Sequence, residues 1–443
     1  MKRKRILSLL LTAAMTLGML TGCGGTTNSG GDGEVSESSG ESSNDGDVTI
    51  TFMCSGVKAA DKEDFRADVL PRMIKEKYPN VNLEVTMLPD DQYYTALKTK
   101  LATGEAPDIL WVQPRYAGVN ASYTLAEAGY LEDISDLKCV ELVGSGVDSF
   151  TYNDKVYGIS GGITYLGTYY NKSMFEENNL DVPTNWQEFL TCCETLSNAG
   201  IQPIVMGDKD MYVMQFGLYQ LAANLIYPDD PEFDEALRDG TKKFTDEGTW
   251  DVVLARYNEL YEKGYIQSGS LGLGISQAQQ KFIDGEAAMI FDGTFNRTAV
   301  EAKGSADFER GYFPLPGNDA GEQLYAAGAP GAGPAIYSGS KNVDICKDII
   351  ELWFDGESEL YKAYETDGKF ISTNQGAIVD PMYESFMQLY NDGNSFYWCN
   401  QAWPAGTETE METLFGELIG GVGTSVSDIT KGMQNKFDEL LSQ

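Results

Sequence analysis

Pro107-Asp108-Ile109-Leu110-Trp111-Val112 is the stretch on which the fold class turns. It is a continuous apolar run behind Pro-Asp, too short for a helix, and reads as a buried strand. Just upstream, Gly104 closes a segment from about Asp91 to Ala102 in which Tyr94, Leu97 and Leu101 recur at helical spacing. Before that, Val81, Leu83, Val85 and Met87 alternate as a strand, and a charged helical stretch broken by Pro71 runs to Lys77. Val48-Thr49-Ile50-Thr51-Phe52-Met53 is the first alternating strand. Strand, helix, strand, helix, strand describes a doubly wound α/β unit, in which ligands sit at the carboxyl ends of the strands.

The second half repeats the style. Tyr165 to Tyr170 is a strand candidate and Lys172 to Asn179 a short helix. Pro183-Thr184-Asn185-Trp186 opens a helix through Leu196, with Thr184 as the expected N-cap and Gln187 as its capping-box partner. Pro203 to Met206 and Ala287 to Phe291 read as strands, the latter after a helix and a turn at Gly285, and Ser340 to Phe354 as an amphipathic helix.

The amino terminus is built like an export signal: Lys2, Arg3, Lys4 and Arg5, then an apolar run from Ile6 to Leu20, too short to span a bilayer. Leu20-Thr21-Gly22-Cys23 resembles a bacterial lipobox, which would make Cys23 the acylated first residue of the mature chain; the alternative is an ordinary signal cleaved at another small residue. From Gly24 to Asp47 the only apolar side chain is Val35, a composition that cannot offset its ordering entropy and is expected to form a tether. As a coil it would reach roughly 25–30 Å, and a two-chain lipid anchor would hold the body at the outer face of the cell membrane.

What remains is long enough for two domains. The formal charge of −35 becomes more negative once Lys2 to Arg5 leave, which argues against nucleic acid and polyanionic substrates. The chain has no histidine, so Ser-His-Asp and Cys-His catalysis and histidine zinc sites are excluded, while carboxylate-only hydrolysis stays open. Of seven cysteines, six remain if Cys23 is lipidated; no CxxC pair occurs, and mostly free, buried thiols are expected.

Five further stretches appear in a telling order: Ala102-Thr103-Gly104-Glu105-Ala106-Pro107-Asp108-Ile109; Tyr157-Gly158-Ile159; Tyr169-Tyr170-Asn171-Lys172-Ser173-Met174-Phe175; Pro183-Thr184-Asn185-Trp186-Gln187-Glu188-Phe189; and Phe282-Ile283-Asp284-Gly285-Glu286-Ala287-Ala288-Met289. Together they resemble the extracellular solute-binding proteins of ABC importers, in the carbohydrate-binding branch that includes maltose-binding protein. The resemblance implies a type II periplasmic-binding-protein-like α/β fold, with two hinged lobes each holding a doubly wound sheet. Crossings are expected near Ile159–Ile163, Phe291–Thr294 and Phe354–Gly356. Lobe one would be 48–160 plus 294–354, and lobe two 164–291 plus 357–443. Gly158, Gly161, Gly162 and Gly293 fall at two of these places, where a hinge wants free dihedrals, although Gly161-Gly162 also reads as a simple turn.

A sugar presents hydroxyls on its rim and C–H patches on its faces, so its site needs flat rings and fixed polar groups. By motif position the resemblance points to Trp111 with Gln113, Arg115 and Tyr116 after it, and to Asp292, Thr294 and Phe295 at the second crossing. Trp398 and Trp403 in Tyr397-Trp398-Cys399-Asn400-Gln401-Ala402-Trp403-Pro404 are the expected platform of the second lobe. Tyr165, Ser55 and Asp91 are weaker candidates. Each has a structural alternative: Trp111 and Trp403 as core, Asp292 as a turn cap. Trp186 and Trp353 read as structural, and Trp250 has no assignment. The expectation is a monomeric binding protein without cofactor or metal, handing a sugar to permease subunits. The alternatives are a binder of another small solute, or a tethered carboxylate-dependent glycosidase.

Overall fold

The structure is a computed structural model and describes residues 46–442 except 57, 59–62, 115–120, 368–369, 375–379 and 405. The export signal, Cys23 and the tether to Asp45 therefore lie outside the described residues, as do Arg115 and Tyr116.

The strands in chain order are β1 (Val48–Ser55), β2 (Val81–Leu88), β3 (Ile109–Val112), β4 (Thr151–Tyr152), β5 (Lys155–Val156), β6 (Gly162–Asn171), β7 (Gln202–Ile204), β8 (Ala287–Gly293), β9 (Arg310–Phe313), β10 (Ala326–Pro330), β11 (Gly333–Ile336), β12 (Ile371–Ser372) and β13 (Ser395–Phe396). They form two main sheets with separate hydrophobic cores, giving a two-lobe α/β fold.

The first sheet has the order β11-β3-β1-β2, with β1 parallel to both neighbours and β11 antiparallel to β3. Asp108 explains why the Pro-Asp opening matters. Its carboxylate accepts from the Thr51 backbone N–H at 2.8 Å and the Thr51 hydroxyl at 2.7 Å, and from the Ser340 hydroxyl at 2.6 Å. One side chain thus ties β1 and β3 to the turn before the helix Val343–Phe354. Partial burial works against the charge, but the bonds from Ser340 and Thr51 outweigh it and hold this carboxyl below its ordinary range.

The second sheet departs from the parallel arrangement expected of it. Its long central strand β6 runs antiparallel to β8, β9, β10 and β12; only β7 with β8 and β10 with β13 pair in parallel. Alternation along β6 sends Ile163, Tyr165 and Tyr169 to one core and Leu166 to the other, so helices and loops cover both faces. At the helix Trp186–Asn198 the N-cap is Asn185, not Thr184: its side chain accepts from the Glu188 N–H. Glu188 returns the favour by accepting from both N–H and hydroxyl of Thr184, a pairing one residue later than the spacing suggested.

The chain crosses between cores at three places. Ile159 belongs to the first core and Ile163 to the second lobe; Pro330 ends β10 and Gly333 begins β11; Phe370 packs in the first core and Ile371 in the second lobe. The boundaries 294–354 and 357–443 therefore need redrawing. Strands β9 and β10 hydrogen-bond to β6 and belong with the second sheet, whereas the helix Glu359–Asp367 buries Leu360, Tyr361 and Tyr364 in the first core. The crossings expected at Phe291–Thr294 and Phe354–Gly356 fall inside single lobes, because sheet pairing and helix packing continue unbroken through them.

At the true crossings backbone lies on backbone. The Gly331 N–H donates to the Gly162 carbonyl at 3.1 Å, and the Ile159 N–H to the Pro334 carbonyl at 3.3 Å. A Cβ on Gly162 would stand 1.9 Å from the carbonyl oxygen of Ile371, and one on Gly333 1.8 Å from that of Ile159. Neither glycine is at positive φ, so space rather than dihedral freedom demands them. Gly293 is at no crossing; it makes room for the Phe295 ring.

All six described cysteines are free and buried. No helix among the described residues is long and apolar enough to cross a membrane.

Gly162→Ala should lower folding stability by about 2 kcal/mol or more, since the clash is with main chain and has no flexible neighbour to relax it. Gly272→Ala, where a Cβ meets nothing within 4 Å, is the control and should be near neutral. Denaturant midpoints of the two variants decide it.

Candidate ligand-binding cleft

A cavity of about 550 Å³ lies between the lobes at the carboxyl end of the first sheet. Ser55 ends β1 and Trp111 lies in β3, and with Arg66 they form the wall of the first lobe; Thr164, Phe295 and Asn296 form the wall of the second. Ser160 and Gly331 of the crossings line its floor. Thr298, Ala302, Asp367 and Phe370 also line a neighbouring cavity of about 780 Å³, so the two adjoin. There Arg297 is held by Glu301 at 2.9 Å and Asp380 at 2.6 Å.

Trp111 is fixed from several directions. The Tyr93 hydroxyl accepts from its N–H at 3.0 Å and donates to its carbonyl at 2.5 Å. Trp353 stacks against the ring at 6.2 Å with an interplanar angle of 18°, and Phe52 packs at 6.2 Å. Only 8% of the residue is exposed, and the Arg66 guanidinium sits 4.8 Å over the ring centroid. Trp111 is therefore both core and cavity wall.

On the opposite wall, Phe295 meets Phe216 edge-on at 5.8 Å and Trp398 at 6.2 Å. Trp398 is half-buried and stands behind Phe295 rather than on the cavity lining. Asp292 does not face the cavity. It is fully buried, and its oxygens accept from Gln279 Nε2 at 2.8 Å, Asn296 Nδ2 at 2.8 Å and the Gly293 N–H at 2.7 Å. Its role is to position the turn that carries Phe295 and Asn296. Burial raises its carboxyl to about 6 despite these bonds.

Other expected contacts are core. Thr294 is buried, its hydroxyl accepting from the Tyr165 N–H at 3.2 Å. Tyr165 is buried against Phe386, with its hydroxyl bonded to Ser395 at 3.1 Å. Trp403 is completely buried; its Nε1–H donates to Asp234 at 2.9 Å and its ring packs on Phe244 and Trp250. Trp403, expected as part of the platform of the second lobe, is instead held in its core by this hydrogen bond and the ring cluster around it. Gln113 is half-buried and outside the cavity lining, its carbonyl accepting from the Ser122 N–H at 2.9 Å. The Asp91 side chain, like Arg115 and Tyr116, lies outside the described residues. Trp186, Trp250 and Trp353 are all core.

Sequence reasoning missed Arg66, Thr164, Asn296, Tyr364 and Phe370 in the lining. Arg66 carried no signal within a charged helical stretch, and Tyr364 and Phe370 were assigned to the wrong lobe. Among the described residues no group of three or more acidic or cysteine side chains could hold a metal ion.

Residues 58–355 match the family model described as bacterial extracellular solute-binding protein, and the chain belongs to that family. Among curated proteins it is 22% identical over 345 residues to the multiple sugar-binding protein of Streptococcus mutans, covering 75% of this chain and 79% of that one. It is 22% identical over 277 residues to the diacetylchitobiose binding protein NgcE of Streptomyces coelicolor, covering 57% and 54%. Among solved structures a chitin oligosaccharide binding protein superposes with TM-score 0.74 at 23% identity, covering 89% of this chain and 99% of the other. The solute-binding protein RafE in complex with raffinose gives TM-score 0.74 at 20% identity, covering 89% and 100%. These neighbours are binding proteins of the same two-lobe fold.

The second lobe also holds Asp234 and Glu412, raised to about 7, and Asp208, raised to about 6, in each case by burial. Unfolded carboxyls titrate near 4. Between pH about 7 and about 4 the folded state binds protons that the unfolded chain does not, so stability rises as pH falls through this window. Without histidine no side chain of ordinary pKa masks the effect. Urea midpoints at pH 5.5 should exceed those at pH 8, and Asp292→Asn should shrink the gap; a midpoint that falls on acidification would contradict the burial argument.

Proposed function

We propose that this protein captures a sugar, an oligosaccharide of more than one unit, in the interlobe cavity and delivers it to the permease of an ABC importer. The observation that carries this reading is a cavity walled by aromatic residues of two separate lobes, Trp111 and Phe295, and floored by the segments that join them. The polar residues Ser55, Ser160, Thr164 and Asn296 line the same cavity as the rings, and a saccharide requires both kinds of residue. The adjoining second cavity is where further sugar units would lie. The names of the relatives, which include sugar, chitin-oligosaccharide and raffinose binders, point the same way.

Capture works by closure: a ligand touching both walls favours the closed arrangement by its differential contacts. The protein acts as a monomer and not as an enzyme. Cys23 carries the lipid anchor, and the Gly24–Asp47 tether holds the body outside the cell membrane, where the permease subunits are its partners. Glu63, Asp64 and Asp367 outnumber Arg66 among the charged lining residues, and this acidity favours a cationic solute such as a polyamine as the second reading.

Titration calorimetry against neutral oligosaccharides, peptides and polyamines separates the readings. Saccharide binding with unchanged sugar and a smaller radius of gyration in solution scattering is the expected result. Phe295→Ala should weaken it at least about tenfold through the lost ring face. Polyamine binding alone, or hydrolysis of the saccharide, would replace the proposal. Cys23→Ala should move the protein from the membrane fraction to the medium; continued membrane retention would refute the anchor.

A further inference from the structure

We propose that Arg66 is a resident plug on Trp111, and that a ligand must push its guanidinium aside before it can stack on that ring. The inference rests on the sugar reading of the cleft and adds a residue that sets its affinity. Trp353 and Phe52 belong to the buried core and cover Trp111 from that side. The guanidinium of Arg66, a cavity-lining residue, sits over the same ring at 4.8 Å. A sugar entering the cavity therefore meets the cation and not the indole face.

The arrangement is built rather than incidental. Arg66 Nη1 donates to the Ser55 carbonyl at 2.9 Å, where β1 ends. The next residue, Gly56, has φ +139°, and a Cβ there would stand 2.8 Å from Arg66 Nη2. At the base of the side chain, the Arg66 N–H donates to the Asp64 carboxylate at 2.9 Å and fixes the start of its helical turn. Trp111 is the fixed partner: Tyr93 bonds its main-chain N–H and carbonyl, and Trp353 and Phe52 pack on its nearly buried ring. Arg66 is half-buried and has a long flexible stem. Of the two partners, only the arginine can leave.

The consequence is a fixed tax on every ligand that stacks on Trp111 and none on a ligand that does not. A cation over an indole shifts an equilibrium by about two- to thirtyfold, depending on how dry the contact is. Arg66→Ala should thus tighten saccharide binding by roughly fivefold, and Arg66→Gln, which keeps a polar stem without the cation, should tighten it as well. In a Trp111→Phe background the gain should shrink, because the plug then covers a weaker cation-binding ring.

The test pairs calorimetry on these variants with fluorine NMR of protein labelled with 5-fluorotryptophan, the Trp111 signal being assigned by its loss in Trp111→Phe. Arg66→Ala should expose that signal to a soluble paramagnetic agent, and saccharide added to the wild type should shift it. Weaker or unchanged saccharide binding in both arginine variants would overturn the plug while leaving the sugar reading standing. If no saccharide binds any form, the sugar reading falls and the plug is judged on the fluorine signal. Unchanged exposure in Arg66→Ala then overturns it, and increased exposure sustains it.

Discussion

Everything in this molecule is organised around three strands of main chain that pass from one lobe to the other with no side chain between them. At Gly162 and Gly333 the approach is closer than any Cβ allows, so the crossings behave as one hydrogen-bonded unit and not as three separate linkers. The cavity lies directly on this unit, with Ser160 and Gly331 as its floor. Trp111 and Phe295 are carried by different lobes, so any rotation about the crossings changes the gap between those rings. The crossings and the floor of the cavity are the same piece of backbone seen from two sides.

Around that unit the protein spends its aromatic residues mostly on packing. Trp186, Trp250, Trp353 and Trp403 are buried in the two cores. Trp111 belongs to both worlds, seated on Trp353 and reaching the cavity. Phe295 is presented by a turn whose geometry depends on Asp292, which satisfies donors from Gln279, Asn296 and Gly293 in a fully buried position. Each wall of the cleft is therefore an outgrowth of a rigid core, which suits a surface meant to hold a ligand in one orientation.

The first lobe was legible because its signals are local. Period-two alternation, a helical stripe and the Pro-Asp opening each identify an element without knowledge of the rest, and Asp108 shows why that opening needs an acid. The lobe boundaries were not legible, because they depend on which strands pair. Nothing local in Arg310–Phe313 or Ala326–Pro330 says that they will bond to β6, and nothing in Glu359–Asp367 says that it returns to the first core. The site was half legible for the same reason. Ser55 and Trp111 lie at the ends of β1 and β3 and Phe295 just after β8, whereas Trp403, from an equally aromatic stretch, is sealed inside the second lobe by Asp234. Arg66 became visible only once Trp111 had a neighbour in space.

The six buried thiols carry one more consequence. Burial pushes the thiols of Cys139, Cys192, Cys193, Cys346 and Cys399 up, so little thiolate of these five exists in the folded state. None of the six described cysteines is cross-linked. The same thiols make alkylation a clock for unfolding: a maleimide reaches them only when a lobe opens. Because they are divided between the two lobes, the order in which they react would show which lobe opens first.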